Sequence, residues 1–384
     1  MVEWKKLGDI TNRNKGIPIT AGQMSELASA GGNVRVFAAG STIADIDESK
    51  LPANCAHKLP SIIVKSRGYI DFDFYEKPFT HKNEMWSYSF NNKEVGKFIY
   101  YYLTTKTEYL RKKAKANSVK LPQLCVADTD DYLIPIPSLS EQTRIVGILD
   151  TFTASIENLK EQIAQRRKQY NWYLDKLFYA TKTDLLDASK NGDVIIKTFD
   201  EIGTFTRGRR FVRTDIVSEG VPCIHYGDMY THYGVWADKT PTHLTKERAE
   251  KLRFATKGDV VIVAAGENDI DIGVGVAWLS DEDVVVHDAC FIFKHEQNPR
   301  YLSYYLRSNN YHQQIRMGVV DGKICSISAK ELGRTLIAIP ALEEQSRIVS
   351  ILDTFEASIQ NLEAQLKERE KQYEYYRNKL LTFE

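Results

Sequence analysis

The chain has 384 residues, too many for one ordinary domain and suited to two of about 150 residues with connecting elements. With 43% hydrophobic and 27% charged residues, 22 Gly and 11 Pro, the composition excludes disordered, collagen-like and disulfide-scaffold classes. The 51 basic residues balance the 51 acidic ones, which argues against a chain that coats nucleic acid indiscriminately. No apolar run reaches about 18 residues and the N-terminal stretch lacks an apolar core, so neither a membrane span nor export is expected, and the cytoplasm is the expected compartment. Cys55, Cys125, Cys223, Cys290 and Cys325 are odd in number, scattered and never in a C-x-x-C pair, and are expected to be buried, reduced thiols.

In chain order, residues 1–137 form an expected first domain of mixed character. Its β-branched run 61–65 predicts a strand, followed by the loop Lys65-Ser66-Arg67-Gly68. A helical stretch spans about 95–115 around Tyr101-Tyr102-Leu103, and residues 106–120 are strongly basic, with Lys106, Arg111, Lys112, Lys113, Lys115 and Lys120 against one Glu108. Pro137 marks the start of a long helix over 138–180, where Ser138 and Glu141 can form a capping box. A D-L-L-D-A-S-K-N-G-D run makes 181–193 the expected linker. The second mixed domain, 194–340, opens on the arginine-rich 206–213, with Arg207, Arg209, Arg210 and Arg213 interleaved by Phe211. Strands are predicted at 259–263 and 283–287, a loop at Ala265-Gly266-Glu267-Asn268-Asp269 and helix over about 300–317. A second long helix occupies 341–384.

The two helices are copies of one sequence. Residues 133–177 match residues 336–380 at a constant offset of 203 without a gap, and roughly six positions in ten are identical. In each copy apolar residues recur at steps of four and three, as at Ile145, Leu149, Phe152, Ile156, Leu159 and Ile163, which is a heptad seam. At about 40 residues each helix is about 60 Å long, and two such amphipathic helices pair most simply with each other. Arg166 and Arg369 occupy the same seam slot, so a parallel pair would stack like charges; antiparallel pairing avoids this and places Phe152 opposite Tyr373 and Tyr170 opposite Phe355, each Arg lifting its head to water. The antiparallel arrangement also spares the linker from running back along the helix and predicts the two domains at opposite ends. The fold class expected is α+β: two mixed α/β domains separated by two long helices in an antiparallel coiled coil, with internal pseudo-two-fold symmetry.

Motifs for catalysis are missing. Asn298-Pro299-Arg300-Tyr301 is similar to the N-P-P-Y loop of adenine methyltransferases, but Arg replaces the second Pro and no Gly-rich cofactor loop precedes it, so a helix-initiating turn is the expectation. The run 318–323 is one residue short of a phosphate loop and continues with Ile324 where Ser or Thr is required. Asp45, Glu48 and Lys50 lack the flanking strand pattern of a nuclease site and read as a solvated turn, and the eight His show no metal-ligand spacing. No cofactor and no metal are expected. The basic clusters carry more: lysine and arginine pair phosphates, arginine suits guanine edges and asparagine suits adenine. They make Lys65, Arg67, Arg111, Lys112, Lys113, Lys115, Asn117, Lys120, Arg207, Arg209, Arg210, Arg213, Asn268 and Lys323 the candidate DNA contacts, with solvated charged faces and ordinary turns as the competing reading.

Each helix is entered through Ile134-Pro135-Ile136-Pro137 to Glu141-Gln142-Thr143-Arg144-Ile145-Val146, and again through Ile337-Ala338-Ile339-Pro340 to Glu344-Gln345-Ser346-Arg347-Ile348-Val349. A variable domain ending in this motif, a long helix, then the same again resembles the specificity subunit of type I restriction–modification enzymes. The resemblance implies a non-catalytic subunit in which each variable domain, called a target-recognition domain, binds half of a bipartite site in double-stranded DNA. It also implies that the helices set the gap and recruit two modification (methyltransferase) subunits, with a motor-nuclease restriction subunit joining to cleave. Off-seam identities including Glu141/Glu344, Gln142/Gln345, Arg144/Arg347 and Asp150/Asp353 are not required by seam packing, and two equivalent partner copies would require them; homogenisation between repeats competes. The first six of these residues are the candidate partner contacts. The alternative from another class is a structural adaptor whose domains bind protein or glycan ligands, to be told apart by the salt dependence of DNA binding.

Overall fold

The computed structural model describes residues 2–118, 120–192 and 194–383; Met1, Val119, Asp193 and Glu384, which fall in the expected first domain, basic stretch, linker and second helix, lie outside the described residues. The chain divides into two compact units, residues 1–160 with 364–384 and residues 161–363, so each unit holds one mixed domain and a part of each long helix.

In the first unit, strands form where β-branched and aromatic residues cluster between turn residues. A four-stranded antiparallel sheet runs in the order Asn12–Lys15, Trp86–Ser89, Ser61–Lys65, Asp71–Tyr75. Beside it, Val34–Phe37 pairs antiparallel with Ile43–Ile46 and parallel with Phe79–His81. The predicted helix over 95–115 is two, Lys93–Thr104 and Thr107–Asn117. Thr104, Thr105 and Thr107 each donate a side-chain hydroxyl to a backbone carbonyl three residues back, and such local bonds offer the chain an exit from the helical ladder.

The second unit repeats this plan with drifted residues. Gly203–Arg207, Cys290–His295, Val260–Val263 and Gly275–Trp278 take the order of the first sheet, and Val221–Ile224 pairs antiparallel with Thr242–Leu244 and parallel with Val284–Val286. A shared close approach marks the equivalence. A Cβ at Gly16 would fall 2.4 Å from the His81 carbonyl oxygen, and one at Gly208 would fall 2.2 Å from that of His287, so only glycine fits at either position. The stretch expected as a linker is largely a helix, Lys182–Lys190, because Thr181 and Asp184 form a capping box and Leu185 is buried. Asn298 caps the helix Pro299–Tyr305 by accepting from the Arg300 and Tyr301 N–H groups, and Tyr301 is buried, which makes this motif the expected helix start.

Each domain closes on itself through a two-stranded ribbon. Glu3–Lys6 pairs antiparallel with Leu133–Ile136, and Ile196–Thr198 with Leu336–Ala338, the second strand of each ribbon feeding the long helix that follows. Those helices, Leu139–Leu177 and Leu342–Leu380, each have 39 residues. Ser138 Oγ accepts from the Glu141 N–H at 3.4 Å, but both Glu141 carboxylate oxygens turn to Arg144, so the expected capping box is half made.

Both units pair the helices antiparallel. In the first unit Phe152 stacks on Tyr376 and Lys160 pairs with Glu370; in the second Tyr173 packs on Phe355 and Arg167 pairs with Glu363. The register differs from the expected facing pairs by about one turn, because seam side chains interdigitate and do not meet head-on. Phe152 lies between Tyr376 and Arg369, and Phe355 between Tyr173 and Arg166. The two seam arginines, expected to lift into water, rest their guanidinium groups 5.8 Å (Arg166) and 5.7 Å (Arg369) from phenylalanine ring centroids. Late in the first helix and just past its end the buried positions shift to Leu174 and Phe178, leaving Tyr173 exposed.

Ile145, Val146 and Leu149 of the first helix enter a core with Ile62, Phe98 and Leu103; Ile348, Val349 and Leu352 of the second join one with Val260, Leu302 and Phe293. All five cysteines are free thiols, with Cys125 exposed at a helix start where burial was expected.

Candidate nucleic-acid interface and helix surfaces

The strand-end loops named from the sequence occupy the same place in both domains. After Ser61–Lys65 the loop passes Arg67, which bridges Gln123; after Val260–Val263 it passes Ala265, which pairs with Ser326. The frame is common and its filling is not. Arg67 and Tyr69 are exposed on the first loop, Glu267, Asn268 and Ile270 on the second. Asn268 donates from Nδ2 to Asp271 at 3.3 Å, and the pairing of Gly266 with Cys325 brings its loop beside the one that carries Lys323.

Several candidate cations are already engaged within the chain. Lys65 pairs with Asp73 at 2.8 Å, and Lys113 with Asp128 at 2.8 Å, the carboxylate raising the Lys113 ammonium above its ordinary value. Arg111 lies over the Tyr69 ring at 4.4 Å while donating to the Ile70 carbonyl and pairing with Glu108. Asn117 donates to Asp128 at 2.8 Å. Arg207 and Arg209 donate to the Asp288 and Lys251 carbonyls, and the Arg210 carbonyl accepts from Arg248. A guanidinium held at one edge by a carbonyl keeps donors on the other, so Arg207 and Arg209 are oriented and not consumed. Lys112, Lys115, Lys120, Arg210, Arg213 and Lys323 are exposed. Phe211, read as interleaved with the arginines, is buried in a small core with Cys223 and Leu244, which anchors the basic segment from beneath.

The off-seam matches of the helices separate into two kinds. Gln142 and Gln345 are buried, each donating from Nε2 to the carbonyl of the proline before its helix, Pro137 or Pro340, at 2.9 Å. Their identity across the copies therefore has a reason inside the chain. Asp150 accepts from Tyr101 at 2.7 Å and from Lys97 at 2.6 Å; Asp353 accepts from Tyr304 at 2.7 Å and from Arg300. Each partner is again 203 residues from its counterpart, so these aspartates match because they fasten helix to domain. Glu141 with Arg144 and Glu344 with Arg347 form exposed pairs at 2.6 Å that no internal contact requires. Sequence reasoning missed one more match: Trp172 and Tyr375 stand 203 residues apart, each 58% exposed and each packed edge-on against the next aromatic, Tyr173 or Tyr376. The signal was there in the repeat, masked by the nearby seam tyrosines.

Among the described residues no helix is long and apolar enough to cross a membrane, and no group of three or more His, Cys, Asp or Glu is placed to hold a metal ion.

Comparison with known proteins agrees with this geometry. The chain is 28% identical over 351 residues to the specificity subunit of a type I restriction enzyme from Escherichia coli, covering 85% of this chain and 81% of that one. It is 27% identical over 418 residues to a putative type I restriction enzyme specificity subunit of Haemophilus influenzae, covering 100% and 96%. Its fold matches the crystal structure of the S subunit of a type I restriction–modification system from M. genitalium with a TM-score of 0.61 at 17% identity, over 100% of this chain and 97% of that one. The family profile described as the type I restriction modification DNA specificity domain matches residues 1–166 and again 191–370. Two such matches, each taking in a mixed domain and the helix that follows it, mean that this chain belongs to the type I restriction–modification DNA specificity family.

Proposed function

We propose that each mixed domain reads one half of a bipartite duplex site, that the helices set the gap and dock two modification subunits, and that the chain itself transfers no methyl group and cuts no DNA. The observation that carries the reading is one frame with two fillings: the same strand order and the same bridged loop present Arg67 in one domain and Asn268 in the other. Guanine offers two acceptors that suit a guanidinium, and adenine an acceptor and a donor that suit an amide, so the two tips fit different half-sites. The exposed arginines and lysines nearby supply phosphate contacts that position the domains without reading sequence.

Glu141, Arg144, Glu344 and Arg347, with Trp172 and Tyr375, form the proposed surface for the modification subunits. Exposed aromatic residues and arginines are what interfaces favour, and their recurrence at a constant offset of 203, as Trp or Tyr at the aromatic position, suits two copies of one partner. A motor-nuclease subunit is the further partner this reading entails.

The test is methylome sequencing of cells with and without the gene, beside purified chain incubated with methyl donor and unmodified DNA. A gapped motif that disappears with the gene, and no incorporation by the chain alone, are expected. Methyl transfer by the purified chain would refute the division of labour.

A further inference from the structure

A short strap crosses the end of the same strand in both domains. In the first unit the Leu124 N–H donates to the Ser66 carbonyl at 2.8 Å and Arg67 bridges Gln123; in the second the Ile327 N–H donates to the Ala264 carbonyl at 2.9 Å and Ala265 pairs with Ser326. On the strap side each equivalent pair lies 203 residues apart, the spacing of the helices, although the loops that the straps hold have diverged.

Three residues before each bridge stands the same pair of residue types: Lys120-Leu121 in one strap and Lys323-Ile324 in the other. All four are exposed, Leu121 by 41% and Ile324 by 62%. Among the described residues neither lysine makes a hydrogen bond or ion pair, whereas Lys65 and Lys113 are held by Asp73 and Asp128. A free ammonium beside a half-exposed aliphatic side chain is thus built twice at the tip of a strap fixed by backbone bonds. A single exposed aliphatic side chain needs no explanation, but the same cation–aliphatic pair at equivalent places in two diverged domains points to a shared contact.

We infer that these two Lys–aliphatic pairs are a common DNA anchor, each ammonium meeting a phosphate and each aliphatic chain covering sugar carbon at the groove wall, with no choice among bases. The inference rests on the reading of both domains as DNA-binding. Its own content is a division of roles. Two readers of different half-sites can share only what does not read, so the matched straps position and the unmatched loops at Arg67 and Asn268 discriminate.

Fluorescence anisotropy of the full chain on its cognate duplex and on an unrelated one, at several salt concentrations, tests this. K120A and K323A should each weaken binding several-fold on both duplexes and lower the salt slope by about one unit. L121S and I324S should weaken both duplexes and leave the slope unchanged. K120R and K323R should restore affinity, and methylomes of cells carrying any of these variants should keep both half-sites. R67A and N268A, in contrast, should each relax one half-site. Unchanged affinity in K120A and K323A, or altered bases in one half-site from either, overturns the anchor while wild-type binding still supports the DNA reading. Wild-type binding that ignores salt overturns both.

Discussion

Among single residues, the buried histidines carry a measurable consequence. His81 is fixed by Nδ1 donating to the Lys82 carbonyl and Nε2 accepting from Ser87, both at 3.1 Å, and burial pushes its imidazole from the ordinary 6.5 down to about 4. His295 is pushed by burial to about 4 as well, its Nδ1 accepting from the Gln297 N–H. Above pH about 6.5 each ring is neutral folded or unfolded and has no effect on stability. As the pH falls from there to about 4, the unfolded chain takes up protons that the folded chain refuses. Stability then drops by up to about 1.4 kcal/mol per pH unit for each ring, and the loss is complete below about 4. Urea unfolding at pH 7, 5.5 and 4.5 should show this decline, and the double variant H81Q/H295Q should decline less steeply. Parallel curves for wild type and variant would show that neither ring is the acid-sensitive group.

At the scale of elements, the helices were legible and the surfaces between domain and helix were not. Repeat and heptad together give two helices, their length and their antiparallel sense, because seam packing writes its period directly into residue types. The strands at 61–65, 260–263 and 284–286 are also visible, as short β-branched runs bounded by turns. What could not be read was the use of polar residues. Gln142 looks like a surface residue until the Pro137 carbonyl is seen beside it, and Phe211 reads only as interleaved with arginines until Cys223 and Leu244 are seen to share its core. Such roles depend on residues brought together from afar, which no local pattern encodes. The matched Trp172 and Tyr375 were hidden differently, within the repeat itself, by the seam tyrosines beside them. If those two aromatics anchor modification subunits, W172A/Y375A should weaken assembly of the complex by at least tenfold in a pull-down or in sedimentation, since aromatic anchors at interface centres are worth ~2 kcal/mol or more. DNA binding by the chain alone should be unchanged. Assembly at wild-type strength would return these residues to an ordinary exposed face.

For the whole molecule, the helices are expected to act as a ruler. Adding one heptad after Ile156 and another after Glu368 keeps the seam in phase, because Ser155 and Glu368 line the same small groove where the helices meet. The pair lengthens by about 10 Å, which corresponds to up to about three base pairs at ~3.4 Å each, although the accompanying rotation of the DNA opposes full use of the change. Methylome sequencing of the double insertion should return both half-sites unchanged and a gap longer by about one to three base pairs. An active variant that kept the original gap would show that the helices are not the spacer.

The ribbons that close the domains bear on how new specificities arise. Because Glu3–Lys6 lies beside Leu133–Ile136, and Ile196–Thr198 beside Leu336–Ala338, each domain begins and ends at one narrow neck. A domain attached in this way is a cassette: cutting the chain at its two neck strands separates it from a stem that it meets through helix positions the two copies share, Ile145, Val146 and Leu149 in one and Ile348, Val349 and Leu352 in the other. The duplicated helix sequences downstream of each neck are gapless matching tracts, identical at roughly six positions in ten, at which two genes of this type can cross over in register. An exchange there transfers a whole domain, with its proposed anchor and the tyrosine and cation that meet the helix aspartate, onto helix positions that both copies share. Specificity can then change in a single genetic step, whereas altering a loop base by base must pass through intermediates that read nothing well.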